Sequence, residues 1–383
     1  MKKILVVHNK YQHLGGEDIA VTNEISVLKK YFEVETIFFN NNLNNYFFQF
    51  FYFIFANNIK SNSLIRQKIV EFQPDLIYVH NTWFKASLGI FKVIEKFHIP
   101  VILKLHNFRY NCTKSIFSKN HLLGEDFCKA CGYKKEDAVF LNKYFKDSWF
   151  KSLLILIYGK KYFSLLQKKN IKIAVLTNFH KEFLNSVGDF GNRVYVHPNP
   201  MEITKKEVST SNNLYLTYAG RVSEEKGVKE LIEAFLEADL PNIDLKIIGV
   251  GPDLDHFKIK YADKNNIIFH GFLDNLDTLN YISTSVAVIT ATKLYEGQPT
   301  LLCEASLLGV PSVFPDSGGI KEFFPEQYPL SYVPFDKNSL VRVIKKVENK
   351  DIVKKTSKQS FEYISTYLQE KKLITNLQEI MND

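Results

Sequence analysis

Cysteine is scarce, four in 383 residues. That is too few for a disulfide scaffold, and it sets a reducing compartment as the expectation. Long apolar runs are missing as well. No uncharged stretch approaches the roughly 20 residues that cross a bilayer. The N-terminal run Ile4–Val7 is too short for a signal-peptide core, and no small-residue cleavage site follows it. Acidic side chains are absent from Ser148 to Lys181, where seven lysines stand. There is no solenoid period and no low-complexity tail, and no base-stacking or groove-reading motif accompanies the basic residues. With 45% hydrophobic and 23% charged residues, the chain is not disordered as a whole.

Charge is unevenly spread. Residues 1–200 hold 28 Lys+Arg and 15 Asp+Glu, net +13, whereas residues 201–383 are net −5. Such a split marks either a basic surface with an acidic partner or ordinary lysine-rich solvation. Continuous apolar runs bounded by turn residues suit strands buried on both faces. They recur at Ile4–Val7, Val34–Phe39, Leu76–Val79, Val101–Leu105 and Ile171–Leu176. A second series follows at Leu214–Ala219, Leu245–Ile248, Ile267–Phe269, Val286–Ile289 and Ser312–Phe314. Segments of helical length separate them, so the pattern predicts an α/β protein with two doubly wound parallel sheets. The polar, proline-containing stretch 197–213 places the seam. The expected domains are 1–200 and 201–350, with closing helices at 351–383 that return to the first domain. Ligands of open parallel sheets bind at strand carboxyl ends, so two such sheets facing each other would form a cleft site. Residues 106–137 fit no element, and 138–169 read as helical.

Four short motifs carry chemistry. AGRVSEEKG, 219–227, follows a strand and precedes a helix, so Arg221 and Lys226 emerge at a strand carboxyl end. A forked guanidinium and a mobile ammonium there suit a diphosphate. In YEGQPTLLCEASLLGVP, 295–311, Gly297–Thr300 read as a turn and Leu301–Leu308 as a helix whose first amides suit an anion. Glu304 then lies about one turn inside the helix, placed to accept from ribose hydroxyls, and Glu296 lies on the loop. PDSGGIKEF, 315–323, permits close backbone approach to a ligand. LGGEDIA, 14–20, sets Gly15 and Gly16 between a strand and a helix, without dinucleotide-fingerprint spacing. Each motif alone is equally well a solvated turn or helix start.

Taken in order, these pieces resemble glycosyltransferase family 4, the retaining, nucleotide-sugar-dependent enzymes of the GT-B fold. The likeness is densest from Leu214 to Phe324. It implies two Rossmann-like domains, with Arg221 and Lys226 on the donor diphosphate, Glu296 at the donor sugar and Glu304 at the ribose. Amides around Gln298, Pro299, Thr300 and Leu301 would hold phosphate or sugar, the base would pack near Gly271, and Gly15–Gly16 would form the glycine loop. His106, at the end of a buried strand, would point at the reacting sugar. Transfer of a hexosyl or N-acetylhexosaminyl group from a UDP- or GDP-sugar to a glycan, lipid-linked in surface polysaccharide assembly (lipopolysaccharide, capsule or exopolysaccharide), is the implied activity. No cofactor is required, since side chains replace a metal at the phosphates. The alternatives are a sugar-nucleotide epimerase of the same architecture and a basic nucleic-acid-binding protein.

Three features remain. His80 in VHNTWF is a candidate for the acceptor side. Cys112, Cys128 and Cys131 have zinc-like spacing, with His121 available as a fourth ligand. The expectation is nevertheless no metal, because KYFKDS, 143–148, lacks the further cysteine seen in similar sequences. The run YFFQFFYFIF, 46–55, beside the acid-free lysine and aromatic stretch, suits a buried helix, an acceptor groove or an anionic membrane surface. A cytoplasmic enzyme peripheral to the inner membrane face is expected.

Overall fold

The computed structural model describes the chain except residues 11–15, 42–45, 118–127, 133–143, 146–147 and 204–213. It divides into two compact units, Met1–Pro200 with Glu370–Asp383, and Met201–Gln369.

The first unit is a six-stranded parallel sheet in the order β2-β1-β3-β4-β5-β6. Its strands are β1 (Lys3–Lys10), β2 (Glu33–Asn40), β3 (Leu76–Asn81), β4 (Val101–Leu105), β5 (Ile171–Val175) and β6 (Val194–Val196). The strands in the middle of the sheet are buried along their length, as their unbroken apolar runs require. Its helices are α1 (Gly16–Leu28), α2 (Tyr46–Phe55), α3 (Ile59–Phe72), α4 (Gly89–Glu95), α5 (Arg109–Lys114), α6 (Trp149–Leu166) and α7 (Asn178–Val187). Asn58, Ser148 and Thr177 cap α3, α6 and α7 with side-chain oxygens. The segment expected to fit no element contains α5. Its six residues are too few to show helical periodicity.

The second unit is also six-stranded and parallel, in the order β12-β11-β10-β7-β8-β9. The strands are β7 (Leu214–Ala219), β8 (Ile243–Ile248), β9 (Ile267–Gly271), β10 (Ala287–Ile289), β11 (Ser312–Pro315) and β12 (Ser331–Tyr332). Its helices are α8 (Val228–Ala238), α9 (Leu254–Lys260), α10 (Asn275–Ser283), α11 (Thr300–Leu307), α12 (Lys337–Lys345) and α13 (Lys350–Tyr367). The strand order reverses between β7 and β10, and that reversal is where doubly wound sheets bind ligands.

The closing residues do not act as one group returning to the N-terminal domain. In α13, Ile364 packs into the core of the second unit, and Leu368 just beyond it does the same. Only α14 (Glu370–Asn382) joins the first unit, where Ile374, Leu377 and Ile380 pack against Ile4, Val6 and Leu28. The apolar stripes of the two helices address different cores, and the break at Leu368–Gln369 lets each face its own.

Candidate functional site

In the second unit, Arg221 and Lys226 leave β7, Glu296 and the start of α11 follow β10, and Gly318 follows β11. These are neighbouring strand ends flanking the reversal. Gly227 has φ +66° and an added Cβ would lie 1.9 Å from the Ala291 carbonyl oxygen, so the β7 loop lies directly against the β10 loop. Gly318 has φ +60° and a Cβ there would meet the Glu296 backbone nitrogen at 3.0 Å. The Gly319 amide donates to the Glu296 carbonyl at 2.9 Å. The glycines of both motifs thus serve the packing of three loops around Glu296.

Lys226 Nζ lies 2.5 Å from Glu296 Oε1, and Thr292 Oγ1 donates to the same oxygen at 3.2 Å. The Arg221 side chain is 66% exposed, with Nη1 3.8 Å from Glu225 Oε1. Its reach into solvent leaves it available to a ligand. Pro299 caps α11 without a side-chain hydrogen bond, and the Leu302 amide donates to the Pro299 carbonyl at 3.0 Å, so the helix start offers the amides of Thr300 and Leu301 as its anion-facing donors. The sequence reading places this helix one residue late, since Thr300 already belongs to it. Burial raises the Glu304 carboxyl to about 7. Gln298, on the loop before α11, is buried, and Gly271, with φ +73°, ends β9 with open space where a Cβ would stand. One unit therefore holds two cations, a helix start without a side-chain cap, two carboxylates and two tight glycine turns.

In the first unit, His106 stands at the carboxyl end of β4, its Nε2 3.0 Å from Nδ1 of His80 at the end of β3. Burial holds His80 down to about 3 and His106 well below the ordinary imidazole range, so the pair is neutral near pH 7. A small pocket joins these two histidines to Glu17, Trp83, Asn107 and Arg109. Gly16 opens α1, while Gly15 lies outside the described residues.

Beneath this pocket lies a buried network that the sequence reading missed. Lys104 Nζ donates to both oxygens of Glu24, at 2.9 and 2.8 Å. Tyr78 Oη donates to Glu24 at 2.8 Å, and His197 Nε2 lies 3.3 Å from it. His197 Nδ1 in turn lies 2.8 Å from Asn376 Oδ1 on α14. One lysine inside the apolar run VILKL is the only local sign, because a charge in a doubly covered strand demands a partner. Nearby, His8 Nε2 meets Asp18 Oδ1 at 2.8 Å.

Residues 200–363 match the family model described as "Glycosyl transferases group 1". A putative teichuronic acid biosynthesis glycosyltransferase of Bacillus subtilis, TuaC, is 29% identical over 158 residues, 40% of this chain and 39% of the relative. The chain spans 39% to 60% of the length of the curated relatives it matches. Among solved structures, sucrose-phosphate synthase from Thermosynechococcus elongatus superposes with TM-score 0.71 at 14% identity, covering 100% of this chain and 98% of that one. HepE from Anabaena, in complex with UDP and glucose, gives TM-score 0.67 at 16% identity and covers 100% of both chains. The fold is GT-B.

Proposed function

We propose that this chain is a retaining glycosyltransferase of the family 4 type, moving a sugar from a nucleoside diphosphate sugar to a glycan hydroxyl in surface polysaccharide assembly. The observation that carries this reading is the convergence at the β7–β10 reversal of Arg221, Lys226, Glu296 and the uncapped start of α11. Cations and fixed amide dipoles aimed at a departing diphosphate stabilise the charge that develops as the glycosidic bond breaks. Glu304 accepts from ribose hydroxyls, and the space at Gly271 takes the base. Glu296 orients the sugar. On the acceptor side the neutral His106 accepts or donates one hydrogen bond at the reacting sugar, its ring held by His80. The match to group 1 transferases over 200–363 and the likeness to TuaC support this class and its polysaccharide setting.

The acceptor in this reading is lipid-linked, and the enzyme works peripherally on the inner membrane face. What supports this is a surface of the first unit. Phe51 and Phe55 of α2, Phe84, and Trp149, Phe150 and Leu153 of α6 are exposed. Phe50 stacks on Phe150 with centroids 5.7 Å apart, and Phe53 meets Phe84 at 5.2 Å, so these rings form one patch. A cavity of about 390 Å3 at α3 and α4 is lined by Arg66, Lys92 and Lys96, with no carboxylate in its wall. Cations beside exposed aromatics suit an anionic interface. Among the described residues, no helix is long and apolar enough to cross a membrane.

The test is a thermal-shift screen of UDP-, GDP- and other nucleotide sugars, followed by product analysis with glycan acceptors. A donor at 100 times its Kd raises stability by about 2.7 kcal/mol. Retained anomeric configuration in the product supports the reading. Conversion of the free sugar nucleotide without acceptor would point to an epimerase instead, and no response to any nucleotide sugar would remove the donor site.

A further inference from the structure

The loop after His106 holds three cysteines, and the fold brings all three together. The ligand sulfurs of Cys112, Cys128 and Cys131 lie within 4.8 Å of one another, and Cys112 Sγ is 3.6 Å from Cys128 Sγ. None of them is in a disulfide. We propose that these three thiolates hold a structural zinc ion that pins the Cys-containing loop to α5.

The distances favour a metal over a redox pair. Zinc binds thiolates at about 2.3 Å with tetrahedral angles, which separates bound sulfurs by about 3.8 Å. A disulfide uses two sulfurs and gives the third no reason to converge. The local backbone agrees: the amides of Cys131 and Gly132 both donate to the Cys128 carbonyl, at 3.2 and 2.7 Å, and Gly132 has φ +72°. This tight turn aims two side chains of a C-x2-C pair at one point, and the glycine lets the chain leave it.

The packing gives the ion a task. Among the described residues, Cys112 and Cys128 form a buried cluster, with Ala130 and Cys131 packed against it. Cys112 lies on α5, whose first residues, Arg109 and Tyr110, line the His80–His106 pocket. An ion bound by all three sulfurs therefore ties the far side of the loop to the wall of that pocket. Binding deprotonates the three thiols, releases their protons to solvent and changes no oxidation state. Among the described residues, no fourth cysteine, histidine or carboxylate joins the cluster. A water molecule would complete the tetrahedral set.

The experiment is metal analysis of the full-length protein purified under reducing conditions. The expected content is about one zinc per chain. Cys112→Ser, Cys128→Ser and Cys131→Ser should each lower it below about a tenth of that, because losing one of three ligands removes most of the affinity. Cys303→Ser, in α11, should leave it intact. Should the variants fail to fold, cobalt(II) replacing the metal in wild-type protein should give intense thiolate-to-cobalt charge-transfer bands. Zinc absent from wild type even after reconstitution, zinc retained in all three folded variants, or cobalt binding without thiolate bands would each overturn the proposal.

Discussion

Lys226 Nζ and Glu296 Oε1 are 2.5 Å apart, so two residues that the sequence offers as separate ligand contacts are joined to each other. A diphosphate that takes the lysine must loosen this pair. In the proposed function, Lys226→Ala and Arg221→Ala should each lower kcat/KM by roughly 2–4 kcal/mol of transition-state stabilisation, about 30- to 1000-fold. Glu296→Gln should lose turnover yet bind the free nucleoside diphosphate a few-fold tighter, since a partly exposed ion pair holds back about 0.5–1 kcal/mol. Calorimetry on the three variants checks this. Weaker diphosphate binding by the glutamine variant would show that the pair positions the lysine rather than competing for it.

In the proposed donor site, the Glu304 carboxyl, raised to about 7 by burial, would make donor binding pH-dependent. The ionised form would accept from two ribose hydroxyls, so donor affinity should rise as pH passes upward through 7. Glu304→Gln should flatten that profile and weaken binding at pH 8. In the fold the carboxyl stays protonated up to about 7, whereas it ionises near 4.5 in the unfolded chain. Its contribution to stability is therefore full below about 4.5 and is lost as pH rises toward 7.

Burial pushes Glu24 upward, but Lys104 and the His197 hydrogen bond outweigh it and hold this carboxyl well below its ordinary range. Lys104→Met would leave a buried charge uncompensated. It should cost about 3–5 kcal/mol, lowering Tm by roughly 10 °C, and the double variant Glu24→Gln, Lys104→Met should recover part of that. Thermal denaturation of the three proteins is the measurement. Equal loss in single and double variants would contradict the pairing argument.

His180 packs 4.2 Å from Phe108 between ring centroids, and among the described residues neither of its ring nitrogens has a hydrogen-bond partner. Burial lowers both His180 and His80 to about 3. Unfolded histidines protonate near 6.5, so stability should fall as pH drops from about 6.5 toward 3, each site adding up to about 1.4 kcal/mol per pH unit. His180→Leu should remove one of these two proton uptakes. Denaturant melts between pH 4 and 7 would read the slope, and an unchanged slope would place His180 elsewhere.

Membrane attachment is tested on the aromatic patch and its lysines. Lys161 donates to the Ile54 carbonyl at 2.7 Å and Lys168 pairs with Glu95 at 3.1 Å, so of four neighbouring lysines Lys160 and Lys169 are the ones to remove. Lys160→Ser with Lys169→Ser should cost about 1 kcal/mol each in binding to anionic liposomes, roughly 30-fold together. Trp149→Ser with Phe150→Ser should weaken it further, with activity on a soluble acceptor kept. Flotation at low and high salt measures both. A wild type that ignores anionic liposomes at low salt would make the patch a protein contact.

Both sheets were legible in the chain alone. Strands covered on both faces need continuous apolar runs, and each of the ten runs it shows is a strand. β6 and β12 were not legible, having three and two residues and so leaving no pattern. The motif glycines were legible because a loop that must lie against another backbone has room for no side chain. What those residues meet came from the folded chain: Lys226 on Glu296, His80 on His106, Lys104 on Glu24 across 80 positions, and three cysteines on one another. The fold also decided that α13 and α14 part, with Lys2 bonded to Asn382 at 2.8 Å. A pairing between distant residues depends on where the fold brings them in space, and periodicity along the chain carries no record of that.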